Sequence, residues 1–245
     1  MAAQVAQPSP LNKMTASPLP ASRLLHSHSE QERFRLALLH MELLVAVLLL
    51  VAANFTLLER RCNTALLFLP SMVLDGEWWR ILLHPFVHVS WYHLLLDATA
   101  FLLLYTELRT LSSLQRIGAV FVAGLGSLLA GLFFDSDIIA QQGLCGLSGI
   151  AHGLMAIAAL ETIRSGRGIL FGIGCASLLL VVAKCLTEAI TGNVVFDFLH
   201  ADRIGSPVAV SHAGGVLGAL IAWLLCSMGQ CSEGLSMVKP EADRR

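Results

Sequence analysis

Charge is scarce in this chain. Asp, Glu, Lys and Arg make up 13% of its 245 residues against 56% hydrophobic ones, where roughly 25% charged is usual for a soluble domain. Mean hydropathy is +0.71, which excludes an ordinary soluble fold and implies a polytopic membrane protein. The net charge of -1 leaves no large basic face. With no nucleic-acid module in the sequence, DNA and RNA are not expected partners. Paired cysteine spacings are also missing: the six cysteines form neither a disulfide framework nor a zinc knuckle. Cys175, Cys185 and Cys226 lie inside apolar runs as small packing residues, and spacing does not say whether Cys62 and Cys145 meet. No internal repeat of the kind many transporters carry is detectable.

What is present is a series of long apolar stretches. Residues 1 to 35 are rich in Pro, Ser, Ala and Gln and read as a flexible tail. They hold no apolar core followed by a small-residue cleavage site, so a retained first helix is expected rather than a removed signal peptide. Six runs approach the ~20 residues that cross a bilayer: 36–57, 90–109, 113–134, 144–163, 168–190 and 208–228. The expected architecture is an all-α bundle of six transmembrane helices over 36–228, followed by a short tail, 229–245. Trp78, Trp79 and Trp91, in and after the long loop between the first two runs, suit a membrane interface.

Basic residues set the expected orientation. With the N-terminus inside, both tails and the pairs Arg109/Arg116 and Arg164/Arg167 are cytoplasmic, while Asp135, Asp137, Asp197 and Asp202 lie outside. Arg60, Arg61, Arg80 and Arg203 count against this, but the short loops favour an N-in, C-in arrangement. Helices two, four and six then all start at the outer face. Their unusual polar residues sit near those starts: His93 and Asp97, Ser148 and His152, and His212. Intramembrane ionisable groups are costly and face protein or a water-filled cavity. A common depth on three helices therefore implies one outward-opening polar cavity.

The spacing within that layer carries chemistry. His93 and Asp97 are four apart, as are Ser148 and His152, so each pair shares a helix face. Ser148 is the candidate nucleophile, and a serine needs a base to take its proton; His212 is the best placed. Gly143, Gly146, Gly149 and Gly153 on helix four and Gly214, Gly215 and Gly218 on helix six would let the two backbones approach closely. The helix start at Ser148 offers free N–H groups to a developing oxyanion. Other readings stay open at this level. The serine could be a packing residue, and His93, Asp97, His152 and His212 could ligate zinc or iron in a carrier. Glu42, and the pair Lys184 and Glu188, are expected to snorkel or pair rather than catalyse.

Four stretches in order, "WWR" in the first loop, "HVSWYHLLLD" entering helix two, "GLSG" opening helix four and "HAGG" in helix six, resemble the rhomboid intramembrane serine proteases. The resemblance covers the six-helix core. It implies a Ser148–His212 dyad, a contribution of His93 to the oxyanion hole, a loop-shaping role for Trp79 and Arg80, a gate formed by residues 168–207, and no metal or organic cofactor. It also implies a multi-pass protein of the bacterial inner membrane acting on membrane-anchored substrates. Two positions depart from the family's pattern: Asp97 stands where Asn is usual, and His152 where a Tyr packs under the histidine. The second makes "GLSGIAHG" similar to the rhombosortase branch, which implies substrates with a C-terminal Gly-Gly and apolar helix. The rivals are a catalytically silent, helix-binding relative and, from another class, a small transporter or metal carrier.

Overall fold

The computed structural model describes residues 21–195 and 208–237, and every regular element among them is a helix. The chain divides into two units, Met1–Phe34 and Arg35–Arg245. We number the α-helices in chain order: α1 Ala21–Asn54, α2 Pro70–Leu74, α3 Trp79–Leu83, α4 Trp91–Glu107, α5 Ser113–Phe134, α6 Ser136–Gln142, α7 Ser148–Ser165, α8 Ile169–Thr191 and α9 Val210–Met237. The first helix starts at Ala21, inside the segment 1–35 expected to be a tail. Pro18 and Pro20 precede it, and from Ala21 to Asn54 there is neither Pro nor Gly to interrupt the hydrogen-bond ladder. Likewise α9 runs on to Met237, into the segment 229–245 expected to be a tail. The remaining tail residues, and residues 196–207 of the expected gate, lie outside the described residues.

Each of the six apolar runs corresponds to a helix, but they are not equally suited to lipid. Glu30–Glu59, Ser113–Phe134, Ile169–Thr191 and Val210–Met228 are long and apolar enough to cross a membrane, and Trp79–Phe86 with Trp91–Thr110 makes a fifth candidate bent by 94°. The break in that pair falls after Pro85, where a short 3-10 turn ends and Ser90 restarts the helix by accepting the His93 N–H at 3.2 Å. α7 does not qualify alone. It carries His152, Glu161 and Arg164, and it packs against α4, α5, α8 and α9, so its surroundings are protein nearly all round.

The distribution of polarity is that of an integral membrane protein. Leu103, Phe133, Leu179, Leu180 and Leu225 point outward, whereas His88, Arg116 and Glu188 are fully enclosed. Water would penalise such an exterior, and lipid does not. Arg116, counted above as a cytoplasmic charge, is buried against Glu42: its Nε and Nη2 donate to the two carboxylate oxygens at 2.8 and 3.0 Å. Tyr105 donates to the same carboxylate at 2.7 Å, and Ser113 also bonds it. Glu42 is therefore paired, joining α1 to α4 and α5.

Candidate active site

The segment that presents Ser148 is held from below by the first loop. Arg80 is buried, and its Nη1 donates to the carbonyls of Thr64 and Leu67 at 2.7 and 2.6 Å while Nε donates to Glu77 at 2.6 Å. A planar fork with several donors gathers loop carbonyls in a way an ammonium cannot. Trp79 adds an indole N–H to the Ala65 carbonyl at 3.3 Å. His84 closes the same turn through Nδ1 on the Arg80 carbonyl at 3.0 Å, and its own carbonyl accepts the Gly146 N–H at 3.3 Å. Leu144 and Phe68 exchange backbone hydrogen bonds of 2.9 and 3.1 Å. The loop before Ser148 is thus pinned at two points.

Gly146 has φ +100°, and a Cβ there would lie 2.9 Å from His93 Nε2. Only glycine lets the turn into α7 pass so close to that imidazole. A second close approach brings α7 to α9: a Cβ on Gly215 would collide with the Gly149 carbonyl, and one on Gly153 would sit 2.6 Å from the Gly215 carbonyl. The expected glycine contact between these helices is present. Gly214 and Gly218 instead face α5, against Gly126 and Val122.

At this crossing, Ser148 Oγ lies 3.0 Å from His212 Nε2. His212 Nδ1 lies 2.7 Å from Glu188 Oε2. A carboxylate only accepts, so Nδ1 carries the proton and Nε2 is free to accept from the serine hydroxyl. Glu188 Oε1 accepts from Lys184 Nζ at 2.6 Å and from the Val195 backbone N–H at 2.9 Å. Lys184 also donates to His152 Nε2 at 2.8 Å, which leaves His152 Nδ1–H to donate to the Ser148 carbonyl at 2.7 Å. The His152 and His212 rings stack, with centroids 4.2 Å apart and planes 18° apart. Lys184 and Glu188 do pair, as expected, but Glu188 does not snorkel: its side chain is fully enclosed. Sequence reading undervalued this residue. A helical Lys-x-x-x-Glu reads as a local ion pair, and only the packing of α8 on α9 reveals the third partner.

A second cluster lies on α4 and the turn before it. Asp97 Oδ2 is 3.2 Å from His93 Nε2 and 3.5 Å from His88 Nε2. The two imidazoles meet edge to face at 4.9 Å. His88, which sequence reading passed over, is placed by Asn54, whose Oδ1 accepts the His88 N–H at 2.8 Å and whose Nδ2 donates to the Phe86 carbonyl at 2.6 Å. The signal for it was the run His88, His93, Asp97 ending in an i,i+4 pair. His88 Nε2, His93 Nδ1 and Asp97 Oδ2 are buried without an aligned hydrogen-bond partner.

Of the residues expected to share one layer, Ser148, His152 and His212 meet directly, and His93 with Asp97 stands beside Gly146, two residues before the serine. The four-residue metal set considered from sequence is not one cluster. Among the described residues, the group with ligand atoms within 4.8 Å of one another is His152, Cys185 and Glu188, and two of its members are already engaged by Lys184 and His212. Cys62 and Cys145 are free thiols. A family model described as Rhomboid domain matches residues 75–228, more than half of the chain. No curated protein and no solved structure matches it.

Proposed function

The chain belongs to the rhomboid family of intramembrane serine proteases, and on that premise we propose that Ser148 and His212 are its catalytic pair. The observation that carries this reading is the 3.0 Å contact between Ser148 Oγ and His212 Nε2, made across two helices that only glycines allow to touch. In the proposed reaction, Ser148 attacks a substrate carbonyl while His212 Nε2 takes its proton and then delivers it to the leaving amine. The N–H groups at the start of α7, with His93, stabilise the oxyanion. Water then resolves the acyl-enzyme. Asp97, facing His93 Nε2, orients that imidazole, and His152 packs under His212 as the ring its stacking implies. Trp79 and Arg80 hold the first loop. The chemistry calls for no metal or organic cofactor.

The substrates we propose are membrane-anchored proteins with a C-terminal apolar helix, cut near the outer face of a bacterial inner membrane by a six-span, N-in and C-in enzyme. His152 in place of the family's tyrosine supports rhombosortase-like processing of Gly-Gly sorting segments. The rival within the family, a silent helix-binding protein, is favoured by the carboxylate of Asp97 where a neutral donor is usual. A fluorophosphonate probe separates the two: labelling of the wild type and not of Ser148→Ala supports the hydrolase, and no labelling of wild-type membranes sinks it.

A further inference from the structure

We infer that Glu188 is the positioning acid of a Ser148–His212–Glu188 triad, and that Lys184 locks it in place; this rests on the catalytic pair proposed above. Glu188 is fully enclosed on a helix that otherwise looks apolar, Ile169–Thr191. A carboxylate in such a place is costly unless charge and hydrogen bonds compensate it. A helical ion pair with Lys184 alone would engage one oxygen. Here the two oxygens are divided: Oε1 takes Lys184 and the Val195 N–H, while Oε2 is turned to His212 on another helix at 2.7 Å.

That division has a chemical effect. With Nδ1–H donated to Glu188, the lone pair of the His212 imidazole is held on Nε2, the atom facing Ser148. When the serine proton arrives at Nε2, His212 becomes a cation beside an anion already in position. Glu188 stays ionised throughout; the proton leaves Nε2 for the departing amine, and in the second half the water that resolves the acyl-enzyme gives its proton to Nε2, which returns it to Ser148, so water is the one co-reactant consumed. Lys184 serves both walls of the site, since the same ammonium that holds Glu188 also holds His152, the ring stacked beneath His212. The chain Ser148, His212, Glu188, Lys184, His152 returns to Ser148 through its own carbonyl and forms a closed ring on α7, α8 and α9.

The test is saturation labelling of the purified full chain with a fluorophosphonate, separating the maximal rate kinact from the apparent affinity KI, alongside thermal unfolding. Glu188→Gln can donate to Nδ1 and so favour the wrong tautomer. It should lower kinact by about 10²- to 10⁴-fold, as loss of an orienting carboxylate does in other triads, with KI within about threefold. Glu188→Asp should recover part of the loss. Because Glu188→Gln strands the Lys184 charge, the double variant Glu188→Gln with Lys184→Gln, which leaves no unpaired charge, keeps the test valid if the single one fails to fold. The same fall in kinact is expected of it. Wild-type kinact in a folded double variant, or a loss confined to KI and thermal stability, overturns the triad and leaves the catalytic pair standing. Absence of labelling in the wild type overturns both.

Discussion

Two buried polar clusters lie on either side of the Gly146 turn, and they are built on opposite rules. Around Ser148, the polar side-chain atoms of His212, Glu188 and His152 have partners at 2.6–3.0 Å. Around Asp97, three buried atoms, on His88, His93 and Asp97 itself, have none that is aligned. A satisfied network rigidifies its members, whereas unpaired groups in a low dielectric remain costly until something meets them. The first cluster is finished in the free protein. The second keeps unused capacity beside the segment that presents Ser148.

Breaking the finished cluster should cost most. Ser148→Ala or His212→Ala should reduce cleavage of a membrane-anchored reporter by about 10⁴-fold or more, with thermal unfolding near that of wild type; cleavage by either variant would show that the ring does no chemistry. In the unfinished cluster, Asp97→Asn should lower cleavage by roughly 10- to 100-fold if the carboxylate orients His93. Undiminished or raised cleavage would assign the position to oxyanion donation itself. His152 tests what stacking contributes to the first cluster. His152→Phe keeps a flat ring beneath His212 and should retain activity within about threefold, while His152→Ala should lose about tenfold, so equal losses would shift the role to the Lys184 hydrogen bond. Smallest in its effect on chemistry, Glu42→Gln removes the charge from one partner of a buried pair that shares no hydrogen bond with either cluster. It should cost roughly 3 kcal/mol of stability and leave fluorophosphonate labelling per folded molecule unchanged.

Much of the bundle was legible because apolar length and glycine spacing are local signals. Six runs became six helices, and Gly149, Gly153 and Gly215 do bring α7 to α9. Ser148, His152 and His212 could be read as one site from their depth. Glu188 could not, because its partner depends on the rotation of α8 about its axis, and an i,i+4 lysine offers a sufficient local explanation. The reach of the terminal helices is likewise hard to read from composition. Polar composition marks 1–35 and 229–245 as tails, yet helix continues into both: from Ala21 in the first, with no Pro or Gly before Asn54, and to Met237 in the second despite Gly229 and Gly234. Arg116 likewise reads as a cytoplasmic charge, because its partner Glu42 lies 74 positions away in the chain.

The polar character of α7 also bears on how the chain is made. Charged residues near a helix centre disfavour transfer from the translocon to lipid by about 2.5–3.5 kcal/mol each, and α7 carries Glu161 and Arg164 toward one end and His152 toward the other. Some of the groups that satisfy it come later in the chain: Lys184 on α8 reaches His152, and the Trp223 indole on α9 donates to Glu161 at 2.8 Å, beside Thr110, which precedes α7 and donates to the same carboxylate at 3.1 Å. During synthesis α7 therefore emerges before two of its partners exist, with Thr110, α4 and α5 already made. The full set of α7 partners and the serine–histidine contact await the same late event, the arrival of the last helix.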